Sequence, residues 1–131
     1  MNRSELEKFI SDNYVCTSDF PWMQYPNFRV FRHPNNKNWF AVIMDIPKNK
    51  IGLPSDDIIS VVNLKSDPIM VGSLLRENGF YPAYHMTKSS WISVVLDGSA
   101  DDEKIKMLLD MSFEATAVKK NKNIDLYRRT L

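Results

Sequence analysis

The fold is decided by residues 28–64, which read FRVFRHPNNKNWFAVIMDIPKNKIGLPSDDIISVVNL. An extended stretch is followed by turn residues at 33–38 and by an unbroken apolar run at 39–44, a pattern that predicts a β-hairpin. Because the run is apolar on both faces, we expect its strand to be central in a sheet. A loop then leads to a third strand at 58–64, rich in β-branched residues. Three strands joined in this way favour an antiparallel meander.

Helix-start signals lie on both sides of this region. Two have the spacing of a capping box, and one is an N-cap aspartate followed by proline at the first helical position. The three pairs are Ser4 and Glu7, Ser99 and Asp102, and Asp67 and Pro68. Each precedes apolar residues at helical spacing, so three amphipathic helices are predicted.

Two further strands are predicted at 81–86 and 91–96, joined by a polar hairpin tip at 87–90. The predicted order is α-β-β-β-α-β-β-α, an α+β fold in which an antiparallel five-stranded sheet packs against helices. Residues 13–27, which hold two prolines among aromatics, are interpreted as an ordered but irregular connection. Residues 1–131 form a single domain in this prediction, with a basic tail at about 116–131.

Composition narrows the class of protein. The chain has 131 residues and a formal net charge of +1. A pI near 7.8 argues against a generally basic nucleic-acid binder, so any polyanion must bind a local patch. Cys16 is the single cysteine, which excludes an intrachain disulfide. The charged N-terminus does not resemble a secretory signal and no apolar run is long enough to span a membrane, so a cytoplasmic location without membrane association is expected.

Residues for catalysis or metal binding are few. Only His33, His85 and Cys16 join the carboxylates as candidate ligands, without a ligand-pair spacing, so we predict no metal and no cofactor. The acidic clusters at 56–57 and 101–103 are explained by a turn and by a helix start. A Ser-His-Asp hydrolase using Ser89 or Ser90, His85 and Asp97 fits the residue types but lacks the glycines of a nucleophile elbow. We therefore expect no enzymatic activity.

The densest group of unusual residues is at 82–91, PAYHMTKSSW. His85, Lys88 and Trp91 suit a phosphate or a base edge, because cations donate to phosphate oxygens and aromatics stack on bases. The alternative is a hairpin in which Tyr84 and Trp91 pack across the strands. A third reading, an enzyme acting on a small anionic metabolite, needs a pocket that joins His85 to Lys65 or Lys88.

Charge is distributed unevenly along the chain. Residues 27–50 carry a local +4 and residues 111–131 a local +3, whereas 51–80 and 97–110 carry −2 and −3. Such asymmetry in a nearly neutral chain can form a face that attracts phosphates. The alternative is that the lysines at 119–122 form a solvated tail.

Residues 82–99 strongly resemble the MmcQ/YjbR family, through PAYHMxKxxWISVxLDGS. The similarity extends from about 28 to 115, through RHxNNKxWF at 32–40, LKxDP at 64–68 and DxSF at 110–113. The resemblance implies a CyaY-like or secretion-chaperone-like α+β fold whose two projecting hairpins, a "double wing", are proposed to bind DNA. Here the wings are 32–39 and 85–91, and the contact residues implied are Arg32, His33, Lys37, Lys88 and Trp91, with Lys65 as a further one.

Together the residues and the resemblance predict a binding domain that contacts nucleic-acid phosphates through two hairpin tips and the tail. The candidate contacts are Arg32, His33, Lys37, Lys65, His85, Lys88 and Trp91. The alternative is a protein-interaction or chaperone-like module without enzymatic activity, which would use the aromatics of residues 14–25 and a sheet face.

Overall fold

Residues 1–117 are described by a computed structural model. The helices are α1 (Arg3–Asn13), α2 (Pro68–Leu74) and α3 (Asp102–Thr116). The strands are β1 (Thr17–Asp19), β2 (Arg29–Arg32), β3 (Trp39–Pro47), β4 (Ile58–Lys65), β5 (Phe80–Pro82) and β6 (Trp91–Val95), and a 3-10 turn spans Lys48–Ile51. The basic tail predicted at 116–131 lies, apart from residues 116 and 117, outside the described residues.

The sheet is antiparallel throughout, in the order β1-β2-β3-β4-β6-β5. The α+β fold and the β2-β3-β4 meander are confirmed, but the sheet has six strands rather than five. The added strand, β1, lies at the edge and consists of Thr17, Ser18 and Asp19, which lack the apolar alternation that marks a strand. It pairs through its backbone with β2, in the stretch predicted to be irregular.

The two faces of the sheet are covered differently. On one, which we call the helix face, strand residues such as Phe31, Ile43 and Val62 pack with the apolar residues of all three helices. On the other, which we call the loop face, Val42, Met44 and neighbouring residues pack with side chains of residues 20–28, the 3-10 turn and the loop at 83–90. Both clusters are buried, which explains the unbroken apolar run of β3.

Two helix starts differ from the prediction by two residues or fewer. α1 begins after Asn2, whose side chain accepts from the Glu5 amide while Glu5 reaches back to the Asn2 amide. α3 begins after Asp101, whose carboxylate accepts from the Lys104 amide. The predicted cap at Ser99 instead bonds to Asp97 in the preceding turn. The N-cap at Asp67 is confirmed.

A β-bulge in β3 decides which face Trp39 joins. Phe31 lies opposite Ala41 and Arg32 opposite Trp39, so Phe40 is the extra residue. Phe40 and Ala41 both belong to the core of the helix face, whereas Trp39 packs on the loop face. Strict alternation from Val42 would have sent Trp39 to the helix face, so the bulge turns this indole toward the loops.

The second predicted hairpin is shorter than expected. β5 ends at Pro82 and pairs with β6 only at Phe80–Pro82, leaving an eight-residue loop at 83–90. The stretch 83–86 is not a strand because the backbone amide of Tyr84 is bonded to the Ser93 hydroxyl rather than to a strand partner. The second wing is therefore a loop on a very short strand pair.

Candidate functional site

The antiparallel order gathers several loops at one end of the sheet. β2 ends and β3 begins at the turn 33–38, β4 ends at Lys65, and β5 and β6 flank the loop 83–90. We call this region, made of 33–38, Lys65 and 83–90, the lysine end. The last turn of α3 reaches the same place, because Asn36 and Asn38 both donate to the Thr116 carbonyl oxygen, at 3.1 and 3.0 Å. Both predicted wings therefore lie at one end of the domain.

Three lysines define the charge of this end. Within residues 1–117, Lys37, Lys65 and Lys88 have no carboxylate oxygen within 4 Å, although Asp67 and Glu114 belong to neighbouring elements. Lys37 and Lys88 are exposed and Lys65 is half-buried. The Lys88 Nζ donates to the Ala83 carbonyl at 2.8 Å, which ties it to its own loop while leaving two donors over.

The two arginines of residues 27–50 are already bound to carboxylates, so they are less free to bind a phosphate than the charge of the segment indicates. Arg29 donates to Glu7 at 2.9 Å and Arg32 donates to Asp19 at 2.7 Å. The Arg32 guanidinium also lies 5.3 Å from the centre of the Trp39 ring. The local charge of +4 is therefore partly neutralised by carboxylates from α1 and β1, and Arg32 would have to share its ion pair in order to bind a phosphate.

Two of the predicted contact residues are buried. His33 is 4 % exposed, its Nε2 lies 2.9 Å from the Thr116 hydroxyl, and its ring packs 4.3 Å from that of Phe113. Burial lowers the pKa of His33, which favours the neutral imidazole. Trp91 is 8 % exposed, with the Lys65 ammonium 5.7 Å from its ring centre. The structure therefore places His33 and Trp91 in the core, where neither is presented to a nucleic acid.

An aromatic cavity of about 300 Å³ opens on the loop face. Residues 20–28 supply one wall with Trp22, Tyr25 and Phe28, in which the last two rings stack with centres 4.7 Å apart. Trp39 lies in the sheet beneath, perpendicular to Trp22 with ring centres 5.5 Å apart. Tyr84, His85 and Met86 of the loop at 83–90 close the other side.

A buried polar network borders this cavity. Asn63 of β4 is fully buried and lines the cavity. Its amide donates to the Tyr84 carbonyl at 2.8 Å and accepts from the Ser93 hydroxyl, which in turn accepts from the Tyr84 amide at 3.0 Å. The network replaces a regular strand ladder at Tyr84 and fixes the start of the 83–90 loop over the sheet.

His85 lies at the rim of the cavity in an unusual conformation. Its backbone φ is 58°, a left-handed value that is uncommon for residues other than glycine. Its exposed ring centre is 4.0 Å from that of Tyr84 and 6.2 Å from that of Tyr25. Burial and the neighbouring Tyr25 raise the pKa of Tyr84, so that its phenol keeps its proton as a hydrogen-bond donor. The two loops thus meet above the sheet at Tyr25 and His85.

The residues considered for catalysis form no hydrogen bonds with one another within residues 1–117. Burial raises the pKa of Cys16, which disfavours the thiolate. Asp97 accepts hydrogen bonds from Ser99 rather than from His85. Over residues 1–117, no three histidine, cysteine or carboxylate side chains come together as a metal site, and no helix is long and apolar enough to cross a membrane.

Sequence reasoning missed Asn63 and Ser93, and it considered Trp22 and Tyr25 as packing residues or as part of a protein-interaction surface rather than as cavity walls. A signal for the first pair was present, because each is a single polar residue between apolar ones in a central strand. Such residues are usually buried in a mutual hydrogen bond. The cavity could not be predicted, since it needs three separate chain segments to meet.

The chain is similar to a known protein family and to several known proteins. A family model described as YjbR matches residues 13–115. The uncharacterised protein YyaQ of Bacillus subtilis is 34% identical over 116 residues, which covers 88% of this chain and 98% of that protein. A crystal structure of a Pseudomonas syringae protein is 42% identical, with a TM-score of 0.86 over 89% of this chain and 100% of that one. A Deinococcus radiodurans protein, at 21% identity and a TM-score of 0.68 over 94% of this chain and 84% of that one, shares the fold.

Proposed function

This chain belongs to the YjbR family, and we propose that its domain binds nucleic-acid phosphates at the lysine end. The observation that carries the proposal is the gathering of Lys37, Lys65 and Lys88 at one end of the sheet, each without a carboxylate within 4 Å in residues 1–117. Cations that are not neutralised by the protein can release counterions from a phosphate backbone, which is the main source of non-specific affinity.

The contrast with the other basic residues supports the same location. Six basic side chains elsewhere in residues 1–117 form ion pairs, namely Arg3, Lys8, Arg29, Arg32, Lys104 and Lys106. A cation held by a carboxylate attracts phosphate less strongly, because the phosphate must compete with the partner. Three other basic residues of 1–117, Lys48, Lys50 and Arg76, also form no ion pair there, but the two lysines follow the opposite end of β3 and Arg76 lies between α2 and β5. The lysine end therefore holds half of the basic side chains without an ion pair in this part of the chain.

The end of α3 adds to the proposal. Ala117, the last described residue, follows Thr116, to which Asn36 and Asn38 are bonded. Residues 118–131 carry five lysines and arginines against one aspartate in the sequence. In the proposal this tail adds non-specific phosphate contacts, and the domain binds in the cytoplasm without catalysing a reaction.

Anisotropy titrations of labelled single-stranded and duplex DNA at about 50 mM salt test the proposal. We expect binding by the full chain and a clear loss with Lys37→Ala plus Lys88→Ala. The matched control is Lys8→Ala plus Lys106→Ala, which removes the same charge from α1 and α3. No binding at low salt, or equal losses in the two double variants, would reject the lysine end as the binding site.

A second candidate function is a protein-interaction surface at the β1 edge of the sheet. The observation that favours it is a group of exposed apolar side chains beside β1, with Val15 81 %, Phe20 54 % and Met23 95 % exposed. An exposed edge strand can accept an extended segment of a partner, and a second copy of the chain is the simplest one. Analytical ultracentrifugation that shows a monomer at every concentration would reject self-association through the β1 edge.

A further inference from the structure

The aromatic cavity on the loop face has the size and lining of a small-molecule site. Its volume of about 300 Å³ is at the lower end of the range for ligand pockets, which suits one ring or two fused rings. Its walls are mainly aromatic, and Trp22 and Trp39 stand at 85° to each other. Perpendicular indoles give a flat ring one surface to stack on and one edge to meet, whereas a branched aliphatic chain would gain no such fit.

The polar lining of the cavity is more specific than its walls. An asparagine amide has two N–H donors and an oxygen that accepts twice. Among the described residues, Asn63 uses one donor on the Tyr84 carbonyl and one acceptor site on the Ser93 hydroxyl. One N–H and one acceptor site of this buried amide therefore have no partner among the described residues, and Asn63 borders the cavity. A ligand with an acceptor beside a donor on one edge matches that remainder.

His85, at the rim of the cavity, has a left-handed backbone conformation. His85 keeps a φ of 58°, a backbone conformation that is unfavourable for a residue with a side chain. Strained backbone of this kind concentrates at binding sites. Here the conformation brings the imidazole beside Tyr84 and Tyr25, where it can contact the outer edge of a ring bound inside.

From these observations we infer that the loop-face cavity binds one flat heteroaromatic ring of nucleobase size, stacked on an aromatic wall and paired by its edge with Asn63. Adenine has the required edge, because an asparagine amide can accept from its N6 amino group and donate to its N7. The inference goes beyond phosphate binding and does not need it. The ring can belong to a free nucleoside or to an unpaired nucleotide of a strand, and the experiment below separates the two sources.

The test follows the indole N–H signals of the full chain by NMR while adenosine is added. The chain has three tryptophans, of which Trp22 and Trp39 line the cavity and Trp91 does not. We expect saturable shifts of the Trp22 and Trp39 signals, with the Trp91 signal as the internal control. N6,N6-dimethyladenosine, which keeps the ring but lacks the donor, should bind at least about fivefold more weakly.

Variants test the walls of the cavity. Tyr25→Ala removes an exposed wall residue that stacks on Phe28, and it should weaken adenosine binding by at least about fivefold, because stacking on one aromatic is worth that much or more. Tyr81→Ala, a tyrosine of the same face that does not line the cavity, should change affinity by less than about twofold. If either variant fails to fold, the comparison of the two adenosines on the unaltered chain decides the matter.

A second titration uses a thymidine heptamer with one central deoxyadenosine and the same strand with an abasic centre. Shifts of Trp22 and Trp39 that vanish with the abasic strand identify a nucleotide within a strand as the source, and shifts with adenosine alone identify a free nucleoside. No saturable shift with adenosine up to about 10 mM and none with the strand would overturn the inference. Strand-induced shifts at Lys37 and Lys88 alone would reject the cavity but leave the phosphate proposal standing.

Discussion

Replacing Lys37, Lys65 and Lys88 should change how salt affects nucleic-acid binding. Each phosphate contact adds about 0.7 to the slope of log affinity against log salt for a single strand and about 0.9 for a duplex. Three lysines without a carboxylate partner in residues 1–117 therefore contribute about 2.1 and about 2.7 to these slopes. Between 50 and 200 mM salt, these contacts alone account for roughly 18-fold and roughly 40-fold losses of affinity.

The substitutions are chosen to keep the backbone in place. Lys37 has a φ of 63°, so Lys37→Asn removes the charge with a residue that tolerates the left-handed region. Lys65→Gln and Lys88→Gln keep long side chains that can still cover the Trp91 ring and bond to the Ala83 carbonyl. The triple variant should therefore stay folded, which a thermal melt can verify.

The assay is an anisotropy titration at four or more salt concentrations, with the slope rather than one dissociation constant as the readout. A matched control, Lys8→Gln with Lys104→Gln and Lys106→Gln, removes the same charge from lysines of α1 and α3 that form ion pairs with carboxylates. We expect the slope to fall by about 2 in the first variant and by far less in the control. Equal slopes in both variants would show that net charge, and not the lysine end, drives binding.

Three further predictions concern stability. Because the pKa of His33 is lowered in the fold, the unfolded chain takes up a proton near pH 6.5 before the folded one does. The free energy of unfolding should therefore fall as pH drops below about 6.5, by at most about 1.4 kcal/mol per pH unit from this group, and urea melts of His33→Gln should lack this component. Gly79→Ala should lower the free energy of unfolding by about 2–4 kcal/mol in the same melts, because its φ is 91° and a Cβ would lie 2.9 Å from the Ser99 hydroxyl oxygen. Gly52→Ala, which has a φ of 89° but open space around it, should cost only about 1–2 kcal/mol. Equal costs for the two variants would contradict this prediction. Ser93→Ala should cost about 1–3 kcal/mol by leaving the Tyr84 amide and the Asn63 amide oxygen without their partner, and a neutral effect would show that water replaces it.

Much of the fold could be predicted because apolar runs and helix-start signals are local. The exact starts of α1 and α3 could not, since Asn2 with Glu5 is as good a capping box as Ser4 with Glu7. β1 was missed for a different reason. Its side chains are polar and mostly exposed, and only its backbone pairing with β2 makes it a strand.

The candidate site was harder to predict because its properties depend on residues far away in the chain. Arg29 and Arg32 count as free charge in the sequence until the fold brings Glu7 and Asp19 to them. His33 looks like a surface residue in a turn, but it is buried by the end of α3, 83 positions further along. Lys37, Lys65 and Lys88 could be named from charge and resemblance, whereas their shared position at one end follows from strand order alone.

Mapping of backbone amide shifts by NMR locates the surface of the domain to which nucleic acid binds. A titration of isotope-labelled protein with short single-stranded DNA at about 50 mM salt shows which backbone amide signals shift. If nucleic acid binds at the lysine end, the largest shifts will cluster at 33–38, Lys65 and 83–90, with little change in α1 and the first turns of α3. Shifts centred on those helices, or an unchanged spectrum at saturating DNA, would contradict it.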